Sequence, residues 1–292
     1  MRTVDAALLR KLDTLRLTIR RVQWGRHFGG PFVISRRGSS LEFADYSAYT
    51  PGDDIRFIDW NLYARSDRLF VKTYHEEVEL SVELLIDATT SMGLPTTEKF
   101  ERAIQLGLCL AHVGVMGRHH VRLSWITDGP PQATPWASRR TGITRLAEAC
   151  ASVTPSTTVT LSAWMQRAVG ALRVRGGQVI LLSDCLYRLP DWFRAITLLL
   201  NRHVEVKVIQ LLTPRELDPA RLFRGGVVVD SETGLTHELA YRPEELARAM
   251  EEHTEQLVRF CKRHGVLFLQ HRLDESLEVC VLKTLPARGF LE

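Results

Sequence analysis

The sequence predicts an α/β protein with a mainly parallel sheet and helices on both faces, and three observations carry that expectation. From Val78 onward, extended apolar segments alternate with segments of helical periodicity, the pattern of parallel strands joined by helical crossovers. The stretch from Glu79 ends in the apolar run Leu84-Leu85-Ile86 and is followed at once by Asp87, then Thr89 and Ser91. A second buried-looking strand, Val179-Ile180-Leu181-Leu182-Ser183, runs into Asp184 in the same way. In open α/β sheets ligands bind at the carboxyl ends of strands, so these two acids mark the end of the sheet to watch.

Taken in order, residues 4 to 22 read as a helix whose apolar face is Ala6, Leu8, Leu9, Leu12, Leu15 and Ile19. Residues 24 to 74 change character, with glycines at 25, 29, 30, 38 and 52, many aromatics and short extended pieces such as Phe32-Val33-Ile34 and Leu69-Phe70-Val71. The expected organisation is therefore an N-terminal helix and strand- and loop-rich extension, residues 1–77, packing on a main domain, residues 78–292. In the main domain the strands fall at 79–86, 121–127, 178–183, 204–211 and 266–271. The helices fall at 98–116, 142–153, 161–174, 189–202 and 243–264. A hairpin is expected near 226–240, with Gly226 to Asp230 and Thr236 to Leu239 joined by Ser231-Glu232-Thr233-Gly234.

Composition narrows the function classes. The chain has 292 residues, ordinary apolar and charged content and a net charge of +4, too small and too interspersed with acids to imply nucleic acid. Arg20-Arg21 and Arg36-Arg37, with Trp24, His27, Phe28 and Phe32 nearby, are a local exception with two readings, a patch facing nucleic acid or phospholipid and, the favoured one, a solvated or acid-paired surface. No apolar run reaches the roughly 18 residues of a membrane span, and the start lacks a signal-peptide core, so the chain reads as cytoplasmic. Cys109, Cys150, Cys185, Cys261 and Cys280 are widely spaced without zinc-ligand spacing and read as buried thiols. Cys185, directly after Asp184, is the one with a chance of exposure.

The pattern Asp87-x-Thr89-x-Ser91 has two readings. Asp, Ser and Thr after a strand are turn residues and helix N-caps. They are also the oxygen donors that a hard divalent cation takes, and a cation held with few carboxylates keeps a position open for a further ligand. No Gly-x-x-x-x-Gly-Lys-Ser/Thr loop is present, so the chain is not expected to hydrolyse ATP, and there is no Gly-x-Ser-x-Gly elbow.

The run from Glu42 to Asn61, EFADYSAYTPGDDIRFIDWN, followed by Ala64-Arg65 and Glu76-Glu77, resembles the bacterial domain of unknown function 58 family. In that family this block precedes a von Willebrand factor A-like, Rossmann-like domain with a first metal motif Asp-x-Ser-x-Ser followed by Met, here Asp87-Ala88-Thr89-Thr90-Ser91-Met92. The resemblance implies a metal-ion-dependent adhesion site for Mg²⁺ (or Mn²⁺ or Ca²⁺), with Asp87, Thr89 and Ser91 on the first loop and Asp184 holding a metal-bound water on the last. Thr89 replaces the usual Ser and keeps the hydroxyl. The middle threonine departs from the pattern: aligned on Leu161, its position is Val159, which cannot ligate, so either Thr158 or Thr160 substitutes or the site lacks this ligand. Thr160 reads equally as the cap of the helix at Leu161. Asp128, in Ser124 to Gly129, also follows a strand but comes too early in the chain and reads as a turn residue. In the upstream block, Asp53, Asp54, Arg56, Asp59 and Arg65 form either a charged interaction surface or, the favoured reading given the interleaved Ile55, Phe57, Ile58 and Trp60, an internal polar network.

Three functions follow as expectations. The first is a non-enzymatic module that binds a partner carboxylate through the cation, with a MoxR-type AAA+ ATPase as the partner the resemblance implies. The second is a metal-dependent hydrolase or phosphatase, for which Thr89 stands where those enzymes have their second acid. His119, His120 and Asp128 show no catalytic spacing that would replace it. The third is a scaffold whose metal site has degenerated.

Overall fold

Strict alternation along the central strands sorts their side chains into two cores. Val82, Leu84, Ile86, Ile180, Leu182, Ile209 and Leu211 face one way, and Leu85, Val179, Leu181, Val206 and Val208 face the other, all essentially inaccessible to solvent. A strand apolar on both faces needs cover on both, and the crossover helices supply it. In the computed structural model the residues described are 4–19, 42–51, 55–75, 80–126, 132–155, 159, 161–168, 177–218, 227–229, 236–238 and 243–292.

Along these residues the elements are α1 (Ala6–Lys11), β1 (Glu42–Ala48), α2 (Trp60–Ser66), β2 (Phe70–His75), β3 (Ser81–Ile86), α3 (Glu98–Met116), β4 (His120–Trp125), β5 (Gln132–Ala133), α4 (Arg140–Ala151), α5 (Leu161–Ala168), β6 (Gln178–Ser183), α6 (Leu189–Leu200), β7 (Glu205–Leu212), α7 (Pro214–Leu217), β8 (Val227–Val229), β9 (Thr236–Glu238), α8 (Pro243–Arg263) and β10 (Leu267–Arg272). A further helical segment over residues 277–287 contains a π turn, Cys280–Thr284.

The main sheet has the order β10-β7-β6-β3-β4-β5. All neighbours are parallel except the short β5, which runs antiparallel to β4. This is a doubly wound order. The first and fourth strands of the sheet, β3 and β6, lie side by side and the chain proceeds outward from each. The helix after β3, α3, packs with α4 and the C-terminal segment on one face, whereas α5, α6 and α8 pack on the other. Connections leaving adjacent strands toward opposite faces open a crevice at their carboxyl ends, between Ile86 and Ser183.

The expected strands and helices of the main domain are present within a few residues of their sequence-derived limits, except that the helix expected over 161–174 is described only for Leu161–Ala168, its further residues lying outside the described residues; the antiparallel β8–β9 pairing is present, and the turn at 231–234 lies outside the described residues. At the N-terminus the outcome differs. The helix expected over 4–22 ends at Lys11, and Leu17 then pairs with Leu291 across an antiparallel bridge. The chain forms two compact units, Met1–Val22 with Leu80–Glu292, and Gln23–Glu79. Leu8, Leu12 and Leu17 lie in the core of the sheet unit, so burial draws α1 to that unit and not to the segment that follows it.

Within the second unit, β1 and β2 pair antiparallel with a register shift between Phe43 and Asp45. Asp59 caps α2: its Oδ1 accepts from Asn61 N (2.9 Å) and Leu62 N (3.0 Å), and its Oδ2 from Tyr46 OH (2.9 Å). That much matches an internal polar network. Arg56 and Arg65 are exposed, however, as are Ile55 and Trp60 at 64% and 62%, so the block is not uniformly buried. Asp53 and Asp54 lie outside the described residues.

Candidate functional site

Asp87 continues the β3–β6 pairing one step past the strand, its N–H donating to Leu182 O at 2.9 Å, which fixes its carboxylate at the mouth of the crevice. Asp184 leaves the neighbouring strand at the same level. Both are buried, at 0% and 1% exposure. Burial first, and then the Asp184 carboxylate, push the Asp87 carboxyl above its ordinary range, against the pull of its Ser183 and Thr89 hydrogen bonds.

Four donors surround Asp87. Its Oδ1 accepts from Thr89 N (2.9 Å) and Thr89 Oγ1 (2.6 Å), and its Oδ2 from Ser183 Oγ (2.5 Å) and Tyr187 OH (2.8 Å). Tyr187 reaches back because the chain reverses after Asp184: Cys185 takes a left-handed conformation, φ 57°, and its carbonyl accepts from His253 Nε2 of α8 at 2.9 Å. Burial, with Asp87 and Asp184 adding to it, holds the Tyr187 hydroxyl far above its ordinary value, so it is a permanent donor here.

Asp184 is held separately. Its Oδ1 accepts from Leu186 N (3.1 Å) and its Oδ2 from Lys99 Nζ of α3 (2.9 Å). Lys99 Nζ also donates to Glu216 Oε1 at 2.5 Å. Burial pulls the Lys99 ammonium down, but Asp184 and Glu216 outweigh it and its pKa is raised.

Thr89 is buried and Ser91 half-buried, on the loop and 3-10 turn that follow Asp87, with their hydroxyl oxygens 3.1 Å apart. Two oxygens in adjacent positions on a cation with ligand distances of about 2.1 Å lie about 3 Å apart. Thr89 gives its proton to Asp87, which leaves its lone pairs for another partner. The donor set thus fits a hard divalent cation through Thr89 and Ser91, with Asp87 orienting Thr89 and the Asp184 carboxylate near enough to Asp87 to raise its pKa. Thr158 and Thr160 lie outside the described residues, as does Asp128. Val159 is half-buried and packs on the α5–α6–α8 core, as an apolar side chain should.

Sequence reasoning missed Ser183, Tyr187, Lys99 and Glu216. Two of them left a signal: Lys99 falls on the apolar face of α3 in register with Ala103, Leu106 and Leu110, and Glu216 is the last member of the capping box Thr213-x-x-Glu216. Cys185 is corrected: it is fully buried, and burial drives its thiol well above the ordinary value, so it is not a reactive site. All five cysteines are free and buried.

Among the described residues one further cluster, His271, Glu275 and Cys280, has potential metal-ligating atoms within 4.8 Å of one another. It is already committed. His271 Nδ1 contacts Glu275 Oε2 at 3.0 Å, and Arg102 Nη1 contacts His271 Nε2 at 3.0 Å, which puts a fixed cation beside the ring. Burial pushes the Cys280 thiol up to about 12, away from the thiolate that binds metal.

The family model described as protein of unknown function DUF58 matches residues 45–259. The uncharacterized protein Rv1480 of Mycobacterium tuberculosis is 26% identical over 297 residues, covering 97% of this chain and 90% of its own length. Among solved structures, the chain is similar to the conserved hypothetical protein BatB from Bacteroides thetaiotaomicron (12% identity, 72% of this chain and 98% of that chain, TM-score 0.40). It is also similar to the SpRpn10 VWA domain (12% identity, 73% and 98%, TM-score 0.41). With the family model spanning both the upstream block and the two aspartate loops, the chain belongs to the DUF58 family.

Proposed function

We propose that the chain is a non-enzymatic protein-interaction module whose adhesion-type site, at the carboxyl end of the sheet, holds Mg²⁺ (or Mn²⁺ or Ca²⁺) and through it a carboxylate of a partner protein. The observation that carries this reading is the meeting of Asp87 and Asp184 at the β3–β6 crevice beside two hydroxyl oxygens 3.1 Å apart. A bound cation supplies a Lewis-acidic point for an anionic ligand. In this reading Thr89 and Ser91 ligate it, Asp87 aims the Thr89 hydroxyl, Asp184 supports its water shell, and Thr158 or Thr160 completes the set.

The non-enzymatic part is supported by the same geometry. A nucleophilic or basic carboxylate needs a lone pair facing the substrate, and all four directions around Asp87 are taken by protein donors. As partner we propose a MoxR-type AAA+ ATPase in the cytoplasm, on the strength of the family resemblance.

Calorimetric titration of the full chain with Mn²⁺ tests the site: saturable heat in the wild type that Ser91→Ala abolishes is expected, and a wild type without metal-dependent heat would overturn it. For the partner, capture of such an ATPase in Mg²⁺ and its release by chelator is expected; capture indifferent to chelator counts against a metal-bridged contact.

A further inference from the structure

Lys99 is 1% exposed, a place where an ammonium is tolerated only if it is paired. Its two acceptors come from different loops. Asp184 follows β6, whereas Glu216 belongs to α7 after β7, where its other oxygen, Oε2, accepts from Thr213 N at 2.8 Å and Thr213 Oγ1 at 2.9 Å. Glu216 is therefore anchored by its own capping box, and Asp184 Oδ1 is anchored by Leu186 N. Between two fixed carboxylates the mobile element is the lysine, on a flexible four-carbon stem.

We propose that Lys99 is a resident counter-cation that competes with a divalent ion for Asp184: when the ion enters beside Thr89 and Ser91, the ammonium withdraws to Glu216 and frees Asp184 Oδ2. This rests on the metal-site reading above. Three features support the exchange. Lys99 holds the Asp184 oxygen that no backbone group holds. Withdrawal leaves it paired, because Glu216 is already within hydrogen-bond reach. A divalent ion and an ammonium on the same carboxylate repel each other through a buried, weakly screened medium. Ion affinity at this site is then a difference between two cations competing for one acid, with Glu216 setting how readily the first gives way.

The test is Mn²⁺ titration by calorimetry and by water-proton relaxation on the full-length wild type, Lys99→Gln, Glu216→Gln and the double variant Lys99→Gln/Glu216→Gln, each checked for folding by circular dichroism. Lys99→Gln is expected to bind at least about tenfold more tightly than wild type, and Glu216→Gln about tenfold more weakly, because the ammonium loses its second partner and stays on Asp184. If Lys99→Gln does not fold with its two acids unpaired, the double variant takes its place, since it removes one of those acids, and must also bind more tightly than wild type. Binding seen in Lys99→Gln or the double variant but not in wild type would show that the ammonium does not give way to the ion, and overturns the exchange together with the wild-type metal site. If wild type binds and removal of Lys99 leaves affinity equal or weaker, the exchange is overturned while the metal site stands. No binding in any folded variant overturns the metal-site reading and the exchange with it.

Discussion

Two buried carboxylates on β3 and its loop are stabilised by different means. Asp87 depends on neutral hydroxyl donors, so Tyr187→Phe strips one hydrogen bond from a buried acid; bonds to charged groups are worth about 1.5–3 kcal/mol, and a loss of that size is expected in urea unfolding. A change under about 0.5 kcal/mol would mean that Tyr187 does not hold the loop. Glu83, inside β3, is paired instead with Arg122 Nε at 2.7 Å and the Ser124 hydroxyl. Burial raises its carboxyl above the ordinary 4.5, with Ser124 and Arg122 pulling the other way. A raised carboxyl pKa means that the folded chain holds the proton more tightly than the unfolded one. Its contribution is therefore full below 4.5 and is lost as pH rises through the folded value. Glu83→Gln removes this dependence. Comparing urea midpoints at neutral pH and near 4.5, the wild type should gain relative to the variant in acid; an unchanged difference would refute a raised Glu83.

α3 packs so closely on the sheet that its glycines are not equivalent. A Cβ at Gly114 would lie 2.6 Å from Val121 Cγ2 of β4 and 3.2 Å from Leu17 Cδ1, while one at Gly107 would meet the ends of Ile86, Leu123 and Leu182 at 3.3 to 3.5 Å. Gly114→Ala is expected to destabilise by about 1–3 kcal/mol through overpacking, more than the helix gains from losing a glycine. Gly107→Ala should stay within about 1 kcal/mol, the methyl being accommodated by flexible side-chain ends. Thermal melts of the pair read the contrast directly. α3 also shows where sequence reading succeeds. Its limits were legible because periodicity is local, as were the strands ending at Asp87 and Asp184. What stayed hidden depends on contacts distant in sequence. The early end of α1 follows from Leu17 meeting Leu291, and the commitment of Asp184 follows from Lys99 lying 85 residues away. Tyr187 could not be linked to Asp87 without the left-handed turn at Cys185, a conformation that a non-glycine residue rarely announces.

At the scale of the sheet unit, the two ends of the sheet carry different work. The carboxyl end holds the aspartate loops, whereas the amino end ties the chain termini together through Lys207 of β7, whose Nζ donates to Thr18 O and, at 3.4 Å, to Phe290 O. Gln178 Nε2 adds a bond to the same Thr18 carbonyl at 3.2 Å. Around this clamp Arg16 N donates to Glu292 O (2.8 Å), Glu292 N to Arg16 O (2.9 Å) and Thr18 N to Phe290 O (3.1 Å), so the two segments are joined across the Leu17–Leu291 bridge. Replacing Lys207 with methionine keeps an unbranched stem but takes one of two donors from each of the Thr18 and Phe290 carbonyls and the nearby cation from buried Glu205, at about 1–3 kcal/mol. The opening should be local before it is global. In hydrogen exchange, the amides of Arg16, Thr18 and Glu292 are expected to lose protection together in Lys207→Met, while those of Asp87 and Ile126, bonded within the sheet to Leu182 and Ile86, keep theirs. Termini that exchanged independently of each other would refute a shared clamp. Because the clamp and the aspartate loops sit at opposite ends of rigid strands, Mn²⁺ affinity should be unchanged in Lys207→Met, and a loss there would show that the amino end of the sheet helps to position Asp87 and Asp184.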